Sequence, residues 1–263
     1  MTITPLYAQQ RRRRILDALE TTGRVAVADL AEAFEVTTET VRRDLDDLAG
    51  RDLLVRVHGG AVARRTAVLE PDLAERSGTN TEAKRRIADA AAALLPRDPS
   101  ASVLLDAGTT CALLAPRLAG RRGAVITHSV DVVRALSALP DALDGALAIH
   151  MLPGRVRPRT GAVVGSPTVA ALGALTPDVA FLGCNGMTRD GFTTPDPEEA
   201  AVKAAIVRRA ALRVVLADSS KADVTHLVRF AEVEEIDVLV TDADLPPALS
   251  RSLTDSGIEV VTA

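Results

Sequence analysis

One stretch, Thr40-Val41-Arg42-Arg43-Asp44-Leu45, decides the fold of the amino-terminal region. Val41 and Leu45 are followed by Leu48, so apolar residues at positions i, i+4 and i+7 form one stripe along a helix. Thr37 precedes this helix and can cap it, because its hydroxyl can accept a free backbone N–H of the first turn. A helix that docks through this stripe turns its arginines and two threonine hydroxyls outward. Arginine is well shaped for guanine edges and phosphates, so the stretch predicts a DNA-recognition helix.

The segments on either side of this helix complete a winged helix-turn-helix. An earlier helix is predicted from about Gln9 to Thr22, and a short amphipathic helix over residues 27–34 leads into a tight connection at residues 35–37. After the recognition helix, residues 53–57 are β-like and Gly59-Gly60 is a turn signal, which predicts a hairpin. The alternative is a small helical domain whose arginines only solvate one face.

Candidate DNA contacts lie on the outward face of the recognition helix and on the hairpin. They are Thr38, Glu39, Thr40, Arg42, Arg43, Arg56 and His58. We expect Arg42 and Arg43 to be the main helix contacts, with Arg43 at a base edge. Arg56 and His58, together with the run Arg11 to Arg14, are expected to contact phosphates of double-stranded DNA.

Composition and charge limit the function classes. The chain has 263 residues and a net charge of −4, and residues 1–65 hold 11 basic against 10 acidic side chains. A DNA-binding function therefore depends on where the charges are placed rather than on the net charge. No apolar stretch could span a bilayer and no export signal is apparent, so a cytoplasmic protein without membrane contact is expected. The spacing of the histidines and of the two cysteines predicts no metal site, and no cofactor is expected, although the turn before Cys111 could lower the pKa of its thiol.

A larger α/β domain is predicted after the hairpin. Residues 1–65 form the DNA-binding domain, residues 66–80 read as a linker rich in loop-forming residues, and residues 81–263 form the second domain. Seven short apolar runs alternate with helical stretches there, which indicates a parallel sheet buried on both faces. The runs are residues 103–105, 124–126, 146–149, 179–182, 214–216, 238–240 and 258–261.

Polar residues follow these runs, at the edge of the sheet where α/β proteins bind ligands. They are Asp106, Gly108, Thr109, Thr110, Thr127, His128, Ser129, Gly154, Arg155, Asn185, Gly186, Asp218 and Lys221. A Gly-Thr-Thr turn that opens a helix suits a phosphate, and Lys221 can add a positive charge. Asp106, Asn185 and Asp218 can bind hydroxyl groups. The set therefore predicts a site for a small polyol that carries a phosphate.

With both halves described, the chain resembles the DeoR family of bacterial transcriptional regulators over nearly its whole length. The resemblance is carried by residues 36–45, Arg56 to Ala61, Leu105 to Thr110, Thr127 to Ser129, Asn185-Gly186 and Asp218 to Lys221. It implies a catalytically silent sensor domain that is similar to sugar-phosphate isomerases and binds a phosphorylated sugar. Members of the family usually repress sugar-uptake or catabolic operons and assemble as homodimers or larger homo-oligomers.

Within the family, residues 154–157 and 191–203 are most similar to regulators of fructose utilisation, which adds Glu199 and Lys203 to the expected effector-binding residues. Fructose 1-phosphate is the favoured effector and fructose 1,6-bisphosphate the second. Two alternatives remain open: an activator of the same fold, or a phosphosugar isomerase with an accessory domain. Asp106, Glu199 and Asp218 are candidate bases for such an enzyme, but an isomerase has no use for a DNA-binding module.

Overall fold

The computed structural model describes residues 7–22, 24–51, 53–57, 59–63 and 73–263. The chain divides into two compact units, Met1–Glu70 and Pro71–Ala263. The candidate DNA contact His58 lies outside the described residues, as do Arg64, Arg65 and most of the segment that joins the two units.

The first unit is a winged helix-turn-helix, as predicted. Its elements are α1 (Ala8–Thr22), β1 (Arg24–Ala26), α2 (Val27–Ala33), α3 (Thr38–Gly50), β2 (Leu54–Val57) and β3 (Gly60–Ala63). The three strands form an antiparallel sheet in the order β1-β3-β2. Strand β1 was not expected from the sequence, because three residues are too few to show an alternating pattern. Gly60 is needed where β1 and β3 meet, since a Cβ there would lie 2.0 Å from the Val25 carbonyl oxygen.

The predicted apolar stripe of α3 forms the centre of this unit. Val41 and Leu45 are fully buried and Leu48 is nearly so. They pack in one apolar cluster with residues of α1, α2 and the hairpin, including Ile15, Leu19 and Leu30. The stripe therefore fixes which face of α3 is turned away from the core.

The second unit contains a parallel sheet of seven strands, and each strand coincides with one of the seven predicted apolar runs. The strands are β4 (Val103–Leu105), β5 (Gly123–Thr127), β6 (Leu147–Met151), β9 (Val179–Gly183), β12 (Leu212–Leu216), β14 (Val238–Thr241) and β15 (Glu259–Thr262). Their order in the sheet is β15-β14-β12-β9-β4-β5-β6, with every neighbouring pair parallel. The order reverses around β4 and β9, so their carboxyl ends lie where such sheets bind ligands.

Helices cover both faces of this sheet. They are α4 (Leu73–Gly78), α5 (Thr81–Ala92), α6 (Thr109–Leu114), α7 (Val130–Ser137), α8 (Pro140–Leu143), α9 (Ser166–Gly173), α10 (Pro197–Arg209) and α11 (Pro247–Asp255). One apolar cluster holds residues of α9, α10 and α11, and the other holds residues of α5, α6 and α7. Both faces of the inner strands are therefore buried, which explains why these strands are mostly apolar instead of alternating.

Two small sheets complete the unit. They are the hairpin of β7 (Arg155–Arg157) and β8 (Ala162–Val164), and a three-stranded sheet of β10 (Gly186–Thr188), β11 (Gly191–Thr194) and β13 (Val228–Ala231). Strand β10 begins three residues after β9 ends, and β7 begins four residues after β6 ends, so both small sheets start beside the carboxyl-end edge of the large sheet. No helix among the described ranges is long and apolar enough to cross a bilayer.

Candidate functional site

Helix α3 exposes two arginines, Arg43 opposite its buried stripe and Arg42 on its flank. Its first turn is capped as predicted, because the Thr37 hydroxyl accepts a hydrogen bond of 3.2 Å from the Thr40 N–H. The side chains of Arg42 and Arg43 are 56% and 79% exposed. Both lie near the Glu39 carboxylate, Arg42 at 3.7 Å and Arg43 at 3.5 Å. Such exposed ion pairs are weak, so both guanidinium groups are available to a nucleic acid.

Helix α3 is attached to α1 by a buried carboxylate. Asp44 is only 3% exposed, and it accepts hydrogen bonds from Arg11 Nε at 2.7 Å and Arg12 Nε at 3.0 Å. Arg12 also contacts Asp47 through Nη1 at 2.5 Å. The expectation that the whole run of arginines contacts phosphates is therefore corrected for Arg11 and Arg12, whose guanidinium groups hold the two helices together.

Arg56 connects the wing to the recognition helix. Its Nε lies 2.9 Å from Asp46 Oδ1 of α3, and its Nη1 donates to the Gly60 carbonyl oxygen at 2.9 Å. About a third of the side chain stays exposed. Arg56 thus holds the hairpin against α3. The phosphate contact expected from the sequence stays a prediction.

A buried ion cluster lies at the end of β4. The fully buried Asp106 forms an ion pair with Lys203 Nζ, lies 2.7 Å from His128 Nε2 and accepts from the Gly183 N–H at 2.8 Å. Burial alone would raise the pKa of Asp106, but Lys203 and His128 outweigh it and hold that pKa well below the usual range. In the same way burial opposes the charge of Lys203, while Asp106 and Glu199 raise its pKa. Both carboxylate oxygens of Asp106 are thus already engaged inside the protein.

Several other predicted effector residues form hydrogen bonds or packing contacts within the protein. The Thr127 hydroxyl donates to the Leu105 carbonyl oxygen at 2.7 Å, and the Ser129 hydroxyl caps α7. Gly154 is required by packing, since a Cβ there would lie 2.3 Å from Thr168 Oγ1. The turn before Cys111 does not lower the pKa of its thiol, because this thiol is fully buried and burial raises the pKa.

The β7–β8 hairpin is joined to α10 by two ion pairs. Arg155 pairs with Glu198, and Arg157 pairs with Glu199. Glu199 is nearly fully buried and also accepts from the Thr160 hydroxyl at 2.6 Å. Arg157 was not among the predicted site residues, although it lies in the same short motif as Arg155. Because Glu199 and Lys203 are one helical turn apart on α10, this helix links the hairpin to the ion cluster at Asp106.

An open cavity lies at the rim beside Gly108 and Thr109, within the predicted site. A cavity of about 470 Å³ is lined by Gly108 and Thr109 together with Ser77, Thr81 and Lys84 of the preceding helices. Lys84 is 6% exposed and its Nζ donates to the Arg76 carbonyl oxygen at 2.5 Å. Lys84 escaped the sequence analysis. The available signal was its rarity, since the chain has three lysines against 28 arginines.

Asp218 and Lys221 follow the end of β12 and lie close to Lys84, which lines this cavity. Asp218 accepts from Asn80 Nδ2 at 2.9 Å, and both Asp218 and Lys221 affect the charge of Lys84. Burial lowers the pKa of Lys84 to about 8, with Lys221 and Arg76 acting in the same direction and Asp218 against them. For Asp218, burial would raise the pKa, but Lys221 and its hydrogen bonds outweigh burial and lower it. Lys84 is therefore influenced by cations and by the Asp218 carboxylate, and Asp131 and Arg134 line the same cavity.

Asn185 and Gly186 lie near the segment that follows Lys221. The Asn185 side-chain oxygen accepts from the Thr194 hydroxyl at 3.1 Å, which orients the amide. Gly186 allows the segment after Lys221 to approach closely, because a Cβ there would lie 2.2 Å from the Val224 carbonyl oxygen. Burial and the charge of Lys221 lower the pKa of His226 in that segment.

The fold and these two sites define a class of protein: a DNA-binding regulator that carries a ligand-sensing α/β domain. The chain matches the DeoR-like helix-turn-helix domain over residues 11–67 and the DeoR C terminal sensor domain over residues 79–243. The protein belongs to the DeoR family. The resemblance inferred from its motifs is thereby confirmed.

Two relatives match this chain over both of its units. The chain is 35% identical to an uncharacterized HTH-type transcriptional regulator, FruR, of Bacillus subtilis, over 91% of this chain and 93% of that protein. It is 30% identical to the glycerol-3-phosphate regulon repressor of Escherichia coli, over 95% of this chain and 97% of that protein. Among solved structures, ribose 5-phosphate isomerase A of Neisseria gonorrhoeae aligns with a TM-score of 0.38 at 15% identity, over 55% of this chain and 54% of that one. A likeness of this size indicates neither an activity nor a ligand.

Proposed function

We propose that the protein is a repressor that binds an operator through α3 and leaves it when a phosphorylated sugar binds the sensor domain. The DNA-binding half of the proposal rests on the exposure of Arg43 opposite the buried Val41 and Leu45, and of Arg42 on the flank of the same helix. Exposed cations on a helix that is well packed through its opposite face suit binding in the major groove. The repressor names of relatives such as the Escherichia coli protein support the sign of regulation.

The effector half of the proposal is supported by the cavity beside Gly108. Lys84, Lys221 and the Gly108-Thr109-Thr110 turn offer positive charge and N–H groups to a phosphate. Asp218 and Asn185, each of which also accepts a hydrogen bond from a neighbouring side chain, are the proposed partners of hydroxyl groups, whereas Asp106 and Glu199 form buried ion pairs with Lys203 and Arg157. Of the predicted effector residues, Gly108 and Thr109 line the cavity, and Asp218 and Lys221 lie close to Lys84, which also lines it.

Fructose 1-phosphate is the effector that we favour, with fructose 1,6-bisphosphate second. A carboxylate at the rim favours hydroxyl groups and disfavours a second phosphate, which argues for the monophosphate. The name of the Bacillus subtilis relative agrees with fructose, while that of the Escherichia coli relative makes glycerol 3-phosphate the competitor to test. To release DNA, the effector must prefer the conformation that binds DNA poorly.

The test is operator release measured by fluorescence anisotropy. The DNA is a labelled fragment selected from a random pool by the purified protein, and the titrants are fructose 1-phosphate, fructose 1,6-bisphosphate, glycerol 3-phosphate and free fructose. We expect fructose 1-phosphate to act at the lowest concentration and Lys221→Ala to respond weakly while binding DNA normally. Arg122→Ala, at an exposed position next to the amino end of β5, serves as the control.

Other results of these measurements would contradict particular parts of the proposal. Release by glycerol 3-phosphate at a lower concentration would overturn the fructose assignment, and an equal response to free fructose would overturn the phosphate site. Stimulated expression from the selected DNA in a reporter strain would make the protein an activator. Turnover of ribose, glucosamine or fructose phosphates by the purified protein would support the enzyme alternative.

A further inference from the structure

Strand β6 forms one edge of the seven-stranded sheet, and no strand of the described ranges lies beyond it. This edge is open to solvent, since Ala148 and His150 are exposed, Met151 is 42% exposed and Ile149 is partly exposed. An open edge presents a row of backbone N–H and C=O groups that can pair with another strand. A further strand can therefore be added to the large sheet at β6.

The hydrogen bonds to β5 determine which backbone groups of β6 point outward. Just before β6, the Ala146 carbonyl oxygen accepts a hydrogen bond from β5 at 3.0 Å, and just after β6 the Leu152 N–H donates one to β5 at 2.9 Å. Backbone groups alternate in direction along a strand, so the residues of even number face β5. The outward N–H and C=O groups therefore belong to Leu147, Ile149 and Met151.

The sequence of β6 lacks the features that protect sheet edges from association. Residues 147–151 include no Lys, Arg, Asp, Glu, Pro or Gly, and their pairing with β5 runs without a bulge. Charges, prolines and bulges are the usual means of protecting an edge. The opposite edge, β15, begins with the charged Glu259. It turns only Val260 and Thr262 outward, because the residues on either side of each donate to β14 or to the residue before it.

A second copy of β6 fits this edge. Two identical strands that pair in antiparallel fashion about a twofold axis are self-complementary, since each outward N–H meets an outward C=O of the other copy. When Ile149 lies opposite Ile149 of the second copy, Leu147 lies opposite Met151 of that copy. Every outward N–H and C=O group of these three residues is then hydrogen-bonded.

The side chains are compatible with this register. Leu147 and Ile149 lie on the face of the sheet that carries the apolar cluster of α5, α6 and α7, and Met151 shares that face by alternation. Their cross-strand neighbours in the second copy are the same three apolar residues. On the other face Ala148 lies opposite His150. No pair therefore brings two carboxylates or two lysine or arginine side chains together.

Exposed apolar side chains flank β6 at both of its ends. Leu143, at the end of α8 just before the strand, is 79% exposed. At the other end, Met151 is 42% exposed and Val156 of the following hairpin is 47% exposed. Antiparallel pairing brings the Leu143 end of one copy towards the Met151 end of the other. Association of two copies therefore removes apolar surface from water at both ends of the pair.

We infer that two copies of the sensor domain associate by antiparallel pairing of β6, with Ile149 on the twofold axis, so that one sheet continues through both copies. The twofold axis then stands perpendicular to the sheet, and the carboxyl-end edges of the two copies point in opposite directions. This surface and its register are independent of the identity of the effector.

Cross-linking of Ile149→Cys in the full chain tests the register. Directly opposite, hydrogen-bonded residues of an antiparallel pair have Cα atoms about 5.5 Å apart, which a disulfide can span. With diamide as the oxidant, we expect a covalent dimer on a non-reducing gel that a thiol converts back to the monomer. Leu227→Cys, at a position that is 77% exposed and precedes β13, is the control and should give no such dimer. The two native cysteines are buried.

Proline at Met151 tests the backbone pairing. The Met151 N–H points away from β5, so Met151→Pro removes no hydrogen bond of the large sheet but takes one donor from each copy. Sedimentation over a dilution series should show a dimer dissociation constant raised about tenfold or more. Met151→Ala keeps the N–H and should dimerise more tightly than Met151→Pro. Circular dichroism of each variant confirms that folded proteins are compared.

A pair of charged variants tests the twofold axis without cross-linking. Ile149→Lys alone and Ile149→Glu alone each place two like charges directly opposite one another, so each should dimerise weakly. An equimolar mixture should form a heterodimer, because a lysine then meets a glutamate.

Contrary results would identify what is wrong. A wild-type chain that is monomeric at micromolar concentration would overturn the inference together with the expected dimer. A wild-type dimer, with no cross-link at Ile149→Cys and with Met151→Pro as tightly associated as wild type, would place the interface elsewhere and leave the proposed repressor function untouched. If Met151→Pro does not fold, the cross-link and the charged pair decide.

Discussion

Charged residues serve two different purposes in this protein, and their burial distinguishes the two uses. Arg42 and Arg43 are exposed and form weak ion pairs with Glu39. A ligand can therefore replace these ion pairs with little loss of folding stability. Asp106 and Lys203 are buried and paired, so each depends on the other for its charge. We therefore expect substitutions at the first pair to change recognition and substitutions at the second pair to change stability.

Arg43→Ala tests the recognition face. A guanidinium that binds a base edge contributes about 1–3 kcal/mol to discrimination, so operator affinity should fall and preference among operator variants should relax. Anisotropy on the selected operator and on single-base variants measures both effects. Arg208→Ala, exposed on α10, is the matched control. Unchanged affinity of Arg43→Ala would show that α3 does not contact bases through this residue.

The pKa of Lys84 predicts a pH dependence for effector binding. Because that pKa is lowered to about 8, Lys84 loses its charge above about pH 8, and the affinity for an anion should fall from there upward. The decrease can reach about tenfold per pH unit, while the sugar phosphate stays a dianion because its second pKa is about 6. Calorimetry with fructose 1-phosphate between about pH 7 and pH 9.5 measures the effect. Lys84→Arg keeps its charge and should flatten the profile; an equally steep profile in this variant would assign the effect to another group.

At the scale of elements, the recognition helix depends on α1 for its position. Asp44 receives hydrogen bonds from Arg11 and Arg12, so Asp44→Asn should lower the free energy of unfolding of this unit by about 1–3 kcal/mol. Urea unfolding followed by circular dichroism measures the change, and DNA affinity should fall as well. Glu32→Gln, on the exposed side of α2, is the control. An unchanged unfolding midpoint would mean that the two arginines hold α1 and α3 together without Asp44.

Helix α10 depends on a buried ion pair for its contact with the sheet. Lys203→Met leaves Asp106 buried with one partner fewer, and breaking such a pair costs about 3–5 kcal/mol. The double variant Lys203→Met with Asp106→Asn should recover part of this loss, because neither charge then remains buried. Urea unfolding of the single and double variants gives the coupling energy. Additive losses would contradict a direct interaction between the two side chains.

At the scale of the whole molecule, we expect two copies to act together on DNA. A single winged helix reads few base pairs, so specificity over a genome requires at least two half-sites. Light scattering at micromolar concentration should therefore give a dimer or a larger assembly, and an operator with two half-sites should bind far more tightly than one with a single half-site. A monomer with full operator affinity would contradict this expectation.

Features that depend on local periodicity were predictable from the sequence. The stripe of Val41, Leu45 and Leu48 and the cap at Thr37 predicted α3, because neighbouring turns of one helix determine them. The seven apolar runs predicted the seven strands, because a sheet buried on both faces admits few polar residues. The class of fold and the edge of the sheet that carries the polar residues followed from these patterns.

Features that depend on pairs distant in the sequence appeared only in the tertiary structure. Arg11 and Arg12 looked like phosphate ligands until folding brought Asp44 against them, and Asp106 looked like a sugar ligand until Lys203 and His128 filled its hydrogen-bonding positions. Lys84 had the spacing of an ordinary surface lysine, yet α4 and the end of β12 enclose it. Local sequence determines which residues can form an element, whereas the burial and partners of a charged side chain depend on which elements pack around it.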